Sequence, residues 1–308
     1  ANRSGISANN FVVGDRAGNI GWTIAGMIPR REGGYDSRLP SDWSQPGIGW
    51  NGWLKPEEYP RLPNPPAQRI WTANARTMDF ESADYAHLGD GGYDLGARTR
   101  QIRDDLKAKD HFTPDDALAI QLDDRALFLR HWHEILLKTL DNAGDSSTLA
   151  AIKKYAADWD DRADPASVGY RLARNFRTEV TDTILDAFAA AVRVKFADFT
   201  MPRLSQAEVL VNAVLLQHPA HLLPPGYASW DDLLQKCAER VAKKLGDMPG
   251  GLAAQTWGES NTAKIRHPLS SALPGLGKLL DMPADQLAGD SNMPHVAAPT
   301  MGASERFA

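Results

Sequence analysis

The sequence holds a single cysteine, Cys237, in 308 residues. One thiol closes no internal disulfide and builds no Cys-x-x-Cys metal site, so the fold must rest on a packed core rather than on covalent or zinc staples. Long apolar runs are missing as well. No stretch approaches the roughly 20 apolar residues that a membrane-crossing helix needs, and the segment Ala1-Asn2-Arg3-Ser4-Gly5-Ile6 lacks the apolar region of a signal peptide. A surplus of basic charge is also lacking: Lys and Arg number 34 against 39 acids, for a net charge of −5. That balance argues against a broad nucleic-acid-binding face. The chain starts at Ala1 rather than at a methionine, and we expect that further sequence preceded it.

The usual catalytic signatures are absent too. There is no G-x-S-x-G elbow, phosphate loop or dinucleotide fingerprint. Gly91, Gly92 and Gly96 lack the strand-then-helix setting of a phosphate cradle. His131 and His133 stand at i and i+2, which do not share a helix face, and a zinc helix needs i and i+4. They are expected to be exposed helix histidines. The acidic stretch Asp158–Asp164 has Ala163 where a calcium loop needs Gly, and Gly169 where it needs a bidentate Glu. It reads as an acidic turn before a helix. Cys237 falls between Leu234 and Val241 on a helical pattern and reads as a small core residue.

With 43% hydrophobic and 24% charged residues, the chain has material for one large or two ordinary domains. Three blocks differ in grammar. Residues 1–97 are rich in Gly, Pro and Trp. Asn10–Val13 and Ile20–Gly26 read as strands joined through Asp15-Arg16-Ala17-Gly18-Asn19, which has hairpin-turn chemistry. Residues 29–66 read as a long structured loop, and Arg69–Ala73 as a third strand ending at Asn74. Residues 98–246 are helical. Thr113-Pro114-Asp115-Asp116 is a helix start with an N-cap, Pro at the first position and acids at the positive end. Asp164-Pro165 repeats it before a long helix reaching about Phe199, with Leu172, Phe176, Val180, Ile184, Ala187, Phe188, Ala191 and Val192 at helical spacing. Ser205 opens a helix towards Gln217, and Ser229 another that ends near Gly246. In residues 247–308, Thr256-Trp257-Gly258, Lys264-Ile265-Arg266 and His295–Ala298 read as short strands. Strand-rich ends around a helical middle predict an α+β fold in which both ends build one sheet domain and the middle is a helical insertion.

The segment Asn10-Phe11-Val12-Val13-Gly14-Asp15-Arg16-Ala17-Gly18-Asn19-Ile20-Gly21-Trp22, followed by Gly26-Met27-Ile28-Pro29-Arg30-Arg31, resembles a β-subunit segment of the penicillin acylase (penicillin amidase) family. The similarity continues in order. It runs through Asp36-Ser37-Arg38-Leu39-Pro40, Trp50-Asn51-Gly52-Trp53, Ile70-Trp71-Thr72-Ala73-Asn74 and Gly96-Ala97-Arg98-Thr99-Arg100-Gln101-Ile102. It closes with Trp159-Asp160, Thr256-Trp257-Gly258 and Gly302-Ala303-Ser304-Glu305-Arg306, so it spans the chain. Membership would imply part of an αββα sandwich of the N-terminal-nucleophile hydrolase type. The chemistry implied is hydrolysis of the linear amide of an N-acylated amine, such as a penicillin, a cephalosporin-type amide, an N-acyl homoserine lactone or an acyl peptide. In this family an N-terminal Ser, Thr or Cys forms an acyl-enzyme, with its own α-amino group, which titrates near neutrality, as the base.

Ala1 is no nucleophile and Ser4 is not terminal. The family's nucleophile lies upstream of the G-N-I-G segment, so the resemblance implies an internal piece of a β subunit. Its partners would be the α subunit and the remaining β-subunit segment, in a periplasmic or secreted heteromer. Asn74 matches the Asn whose amide helps form the oxyanion hole, and Arg98 matches an Arg that supports it. Trp50 and Trp53 would lie on a loop lining the acyl pocket. No cofactor is implied for catalysis. Asp84 and Ser37 match two ligands of a structural calcium ion, by a carboxylate and a backbone carbonyl respectively. Plainer readings stand beside these: Asn74 as a strand-end turn former, Arg98 as a surface residue opening a helix, Asp84 as a solvated acid, and the chain as an inactive structural or binding relative.

Overall fold

The computed structural model describes residues 1–303, except Tyr35, Ser37, Arg38, Phe80, Asp90, Gly91, Asp145, Arg203, Ala272 and Pro274. The chain forms two compact units, Ala1–Lys107 and Ala108–Ala308.

The first unit opens with the expected hairpin. Strand β1 (Asn9–Gly14) pairs antiparallel with β2 (Ile20–Ala25), Val12 opposite Trp22. Between them the Asp15 carboxylate accepts the N–H groups of Ala17 and Asn19 and the Asn19 side-chain amide, at 2.8–2.9 Å. The Asn19 amide and backbone bonds hold the Asp15 carboxyl below the usual carboxylate range. Gly18 supplies the positive φ of +86° that this turn requires. A second hairpin joins β3 (Pro29–Glu32) to β4 (Gly49–Trp53), and β5 (Leu62–Pro63) adds to the free side of β2, which makes β2 the central strand. Ile24, Ile28, Leu54 and Tyr59 form a small core. The Tyr59 hydroxyl accepts the Ile28 N–H and donates to the Gly26 carbonyl, both at 2.9 Å. Two helices follow, α1 (Ala83–Leu88) and α2 (Ala97–Lys107). Arg69–Ala73, expected as a strand, carries no helix or strand, and among the described residues it joins no ladder; beyond it Ala75 bridges, in parallel, to Asp94.

The second unit is helical. Helix α3 (Pro114–Gln121) starts on the capping box that Thr113 and Asp116 spell out. Helices α4 (Arg130–Asp141), α5 (Ser147–Ala157), α6 (Val168–Arg193), α7 (Ala207–Gln217) and α8 (Trp230–Gly246) share one core. Trp132, Phe176, Leu172, Val180, Ile184 and Leu233 are among its fully buried members. Ser229 caps α8 as read. By contrast, α6 starts on Ser167 rather than Asp164, and α7 on Gln206 rather than Ser205. The apolar pattern of α6 overstates its burial: Phe188 and Val192, on its last turns, are exposed.

Helix α7 carries apolar side chains all round, so hydrophobicity alone does not choose its inner face. Val211 and Val214 are buried while Val209 and Leu216 face solvent. The choice falls to Glu208, also buried, which accepts the Trp132 indole N–H and a two-pronged bond from Arg177 at 2.8 and 3.0 Å.

His133, expected exposed, is half-buried: its Nε2 bonds the Ala156 carbonyl at 2.6 Å and its ring meets Trp159 edge-on at 4.8 Å. Thr256-Trp257-Gly258, expected as a strand, opens helix α9 (Trp257–Ser260) with Thr256 as its cap. The Trp257 and Gly258 N–H groups are bonded by the carbonyls of Ser167 and Pro165, which turns them away from any ladder. Trp257 and Met293 enter the helical core, although the sequence pattern groups residues 247–308 with the sheet. Lys264–Arg266, expected as a strand, carries no strand or helix, and α10 (Gly277–Leu280) follows. Of His295–Ala298 only the end is a strand, β6 (Ala297–Ala298), paired with β7 (Gly302–Ala303). Among the described residues no helix is long and apolar enough to cross a membrane.

Two predictions follow from the packing of this unit. A Cβ on Gly169 would lie 2.5 Å from the Tyr155 carbonyl oxygen and 2.7 Å from Trp159 Cβ. Gly169→Ala should therefore lower the unfolding free energy, measured by denaturant titration, by about 1–3 kcal/mol, although the same exchange in an open helix gains about 1 kcal/mol. Cys237 is fully buried, and burial pushes its thiol up to about 11. The thiol should stay unmodified by Ellman's reagent at pH 8 and react only once denaturant unfolds the unit.

Candidate active site

The first unit brings Asn74 and Arg98 together. Helix α2 begins one residue before Arg98, and the Arg98 guanidinium donates from Nη2 to Asn74 Oδ1 at 2.5 Å. Its far end reinforces the docking, because Lys107 Nζ lies 5.3 Å over the Trp71 ring. One helix thus grips the extended segment at Trp71 and at Asn74. Asp94 adds two contacts: its N–H donates to the Asn74 carbonyl at 3.0 Å, and its carboxylate lies 3.9 Å from the Arg98 guanidinium. The Arg98 side chain is only 15% exposed. Burial pulls its guanidinium below the usual arginine value and Asp94 opposes this; an arginine retains its proton through such a shift.

This contact fixes the direction of an amide. A guanidinium has no acceptor, so the atom of Asn74 facing it must be the oxygen. The NH₂ is then left to face elsewhere, and among the described residues nothing is bonded to it. Asn74 is exposed and borders a cleft of about 500 Å³ lined also by Asn10, Ile24, Ile28, Arg31 and Tyr93. A neutral donor anchored from behind and aimed at open space is the arrangement that stabilises a developing oxyanion.

The other expected site residues lie elsewhere. Trp50 and Trp53 sit on β4, exposed, and do not line this cleft; Trp50 packs edge-on to Trp43 at 6.4 Å. Asp84 lies in the first turn of α1, where its N–H donates to the Ser82 hydroxyl at 3.2 Å and its charge suits the helix end. Ser37 lies outside the described residues. Calcium takes about six to eight oxygens, and among the described residues no three His, Cys, Asp or Glu gather to hold a metal. Asp84 alone does not make such a site.

Sequence reasoning passed over Asn10, Trp22 and Asp94. Asn10 donates from Nδ2 to the Ala73 carbonyl at 2.9 Å and accepts the Trp22 indole N–H on Oδ1 at 2.9 Å. The available signal was an amide at the head of an otherwise apolar run in β1, where Asn10 is the one residue not exposed.

The model of one family, described as penicillin amidase, matches residues 1–308. The chain is 28% identical over 296 residues to the penicillin acylase 2 proenzyme of Pseudomonas sp. (strain SE83), covering 94% of this chain and 36% of that protein. It is 34% identical over 113 residues to the penicillin G acylase of Escherichia coli, covering 35% of this chain and 12% of that protein. The chain therefore spans about a third or less of these curated relatives. A thermostable penicillin G acylase from Alcaligenes faecalis superposes with a TM-score of 0.52 at 17% identity, covering 80% of this chain and 48% of that one. That likeness shows the fold, the mixed α and β architecture of an N-terminal-nucleophile hydrolase.

Restraint of the Asn74 segment is open to measurement. Arg98→Met, which keeps the apolar stem and removes every donor, should speed amide hydrogen exchange at Asp94, whose N–H bonds the Asn74 carbonyl. Exchange at Trp132, in the helical core, should stay as in the parent protein.

Proposed function

The chain belongs to the penicillin amidase family, and we propose that it supplies the oxyanion-stabilising amide of an amidohydrolase that cleaves N-acylated amines. The observation that carries this reading is the Arg98–Asn74 bond, which leaves the Asn74 NH₂ an anchored donor with no partner among the described residues. In the proposed reaction an N-terminal Ser, Thr or Cys, carried by another segment or chain, attacks the amide carbonyl. Its own α-amino group takes the proton and passes it to the leaving amine, forming an acyl-enzyme that water then hydrolyses. At each tetrahedral stage Asn74 Nδ2 donates to the oxygen that gains charge. One such donor is worth about 3–4 kcal/mol of barrier. Arg98 touches no substrate atom and acts through Asn74.

The substrate class in this reading is a linear acyl amide of the penicillin, cephalosporin, acyl-homoserine-lactone or acyl-peptide kind. The working partners are the α subunit and the remaining β-subunit segment of one precursor, assembled in the periplasm or outside the cell. No step passes through calcium, for which Asp84 offers one carboxylate.

Turnover of a panel of N-acyl-4-nitroanilides of graded acyl length, by the full-length gene product that contains these residues, tests the reading. Asn74→Ala should lower kcat on the best anilide about 100- to 1,000-fold and leave assembly intact. Unchanged turnover removes Asn74 from the mechanism. No turnover of any anilide by the parent protein, with no co-purifying chain that starts with Ser, Thr or Cys in its mass spectrum, marks an inactive binding relative.

A further inference from the structure

Asn10 is a half-buried amide bonded on both sides. The Trp22 indole donates to its Oδ1, and its Nδ2 donates to the Ala73 carbonyl, each at 2.9 Å. Neither partner can exchange roles, since an indole N–H only donates and a peptide carbonyl only accepts. The amide is thus locked in one orientation. Its anchor is firm: Val12 pairs opposite Trp22 across β1 and β2, so Asn10 and Trp22 are diagonal neighbours on one sheet face, and Trp22 also pairs with Leu62 on β5.

The carbonyl that Asn10 holds belongs to the peptide plane ending at the Asn74 nitrogen. Because that plane is rigid, fixing the Ala73 oxygen sets the direction in which the Asn74 backbone leaves it. The next carbonyl, of Asn74 itself, is held by the Asp94 N–H at 3.0 Å. Both peptides flanking the Asn74 Cα are therefore pinned, while Arg98 pins the side-chain oxygen. Among the described residues, the sheet supplies the first of these three restraints through Asn10 alone.

We propose that Asn10 is a positioning residue for the Asn74 amide, through which the β1–β2 hairpin sets the height and angle of the oxyanion donor. The proposal rests on the reading of Asn74 as that donor. Asn10→Asp keeps the size of the side chain and the bond from Trp22, but it sets a carboxylate oxygen against the Ala73 carbonyl and pushes the segment away. A displacement of about 1 Å at a reacting centre costs about 100-fold in rate.

The test is a double-mutant cycle in the full-length gene product, with kcat, KM and thermal midpoint measured on the best anilide. Asn10→Asp should lower kcat about 10- to 100-fold with KM within about twofold, since only transition-state contact is lost. In the Asn74→Ala background the same change should lower kcat no further. A loss of equal factor in both backgrounds overturns the proposal, because Asn10 would then act independently of Asn74. Unchanged kcat for Asn74→Ala is a different result and overturns the reading beneath it. Trp22→Phe removes the indole donor along with part of the ring that packs on the small core, and supplies a second cycle if Asn10→Asp does not assemble. Its kcat loss should likewise vanish when Asn74 is Ala, and a loss that persists counts against the proposal.

Discussion

A guanidinium that can only donate, set against an amide oxygen that can only accept, organises the candidate site. Once Arg98 meets Asn74 Oδ1, the amide has one orientation, and its NH₂ is the group left to act. The surrounding features serve that contact. Helix α2 starts where it puts Arg98 within reach and ends where Lys107 covers Trp71. Asp94 holds the Asn74 carbonyl and lies near the guanidinium. The charge on Arg98 also matters electrostatically, since a cation behind a donor amide polarises it.

The helical unit uses charge differently. Glu208 is buried with Arg177 and the Trp132 indole, far along the chain from Asn74. A buried pair of this kind adds little net stability, because desolvation offsets the attraction, but breaking it by removing one partner costs about 3–5 kcal/mol. Its consequence here is selection. With apolar residues all round α7, several helix rotations bury similar area, and only one places Glu208 between its two donors. A comparable network ties Arg171, buried on α6, to Glu259 at 2.5 Å and to Gln255 at 3.1 Å.

Legibility in the sequence tracked how local the physics was. The β1–β2 hairpin and the caps at Thr113 and Ser229 were readable because each is decided within a few residues: a glycine able to take φ of +86°, a hydroxyl three residues from the N–H that it caps. Cys237 was readable as core from its helical register. Thr256-Trp257-Gly258 misled because a β-prone tryptophan was captured by docking: Trp257 donates to the Gly289 carbonyl at 3.0 Å and meets Tyr170 edge-on. His133 misled for the same reason, its carbonyl partner lying on another helix. Asn74 and Arg98 came to notice through the family pattern, not through their spacing, whereas Asp94 has no local signature and Asn10 only that of an amide at the head of an apolar run.

What the sequence by itself determined was the α+β class, the turn and cap positions, and the membership that points to amide chemistry. These depend on backbone preferences and on residue order, which are present before the chain folds. Only the tertiary structure decided which face of α7 is buried, that Trp50 and Trp53 stand outside the lining of the cleft, and which way the Asn74 amide faces. Each of those is settled by a partner distant in sequence, whether a buried carboxylate, a strand pairing or a guanidinium, and hydrogen-bond direction has no meaning until both partners are in place.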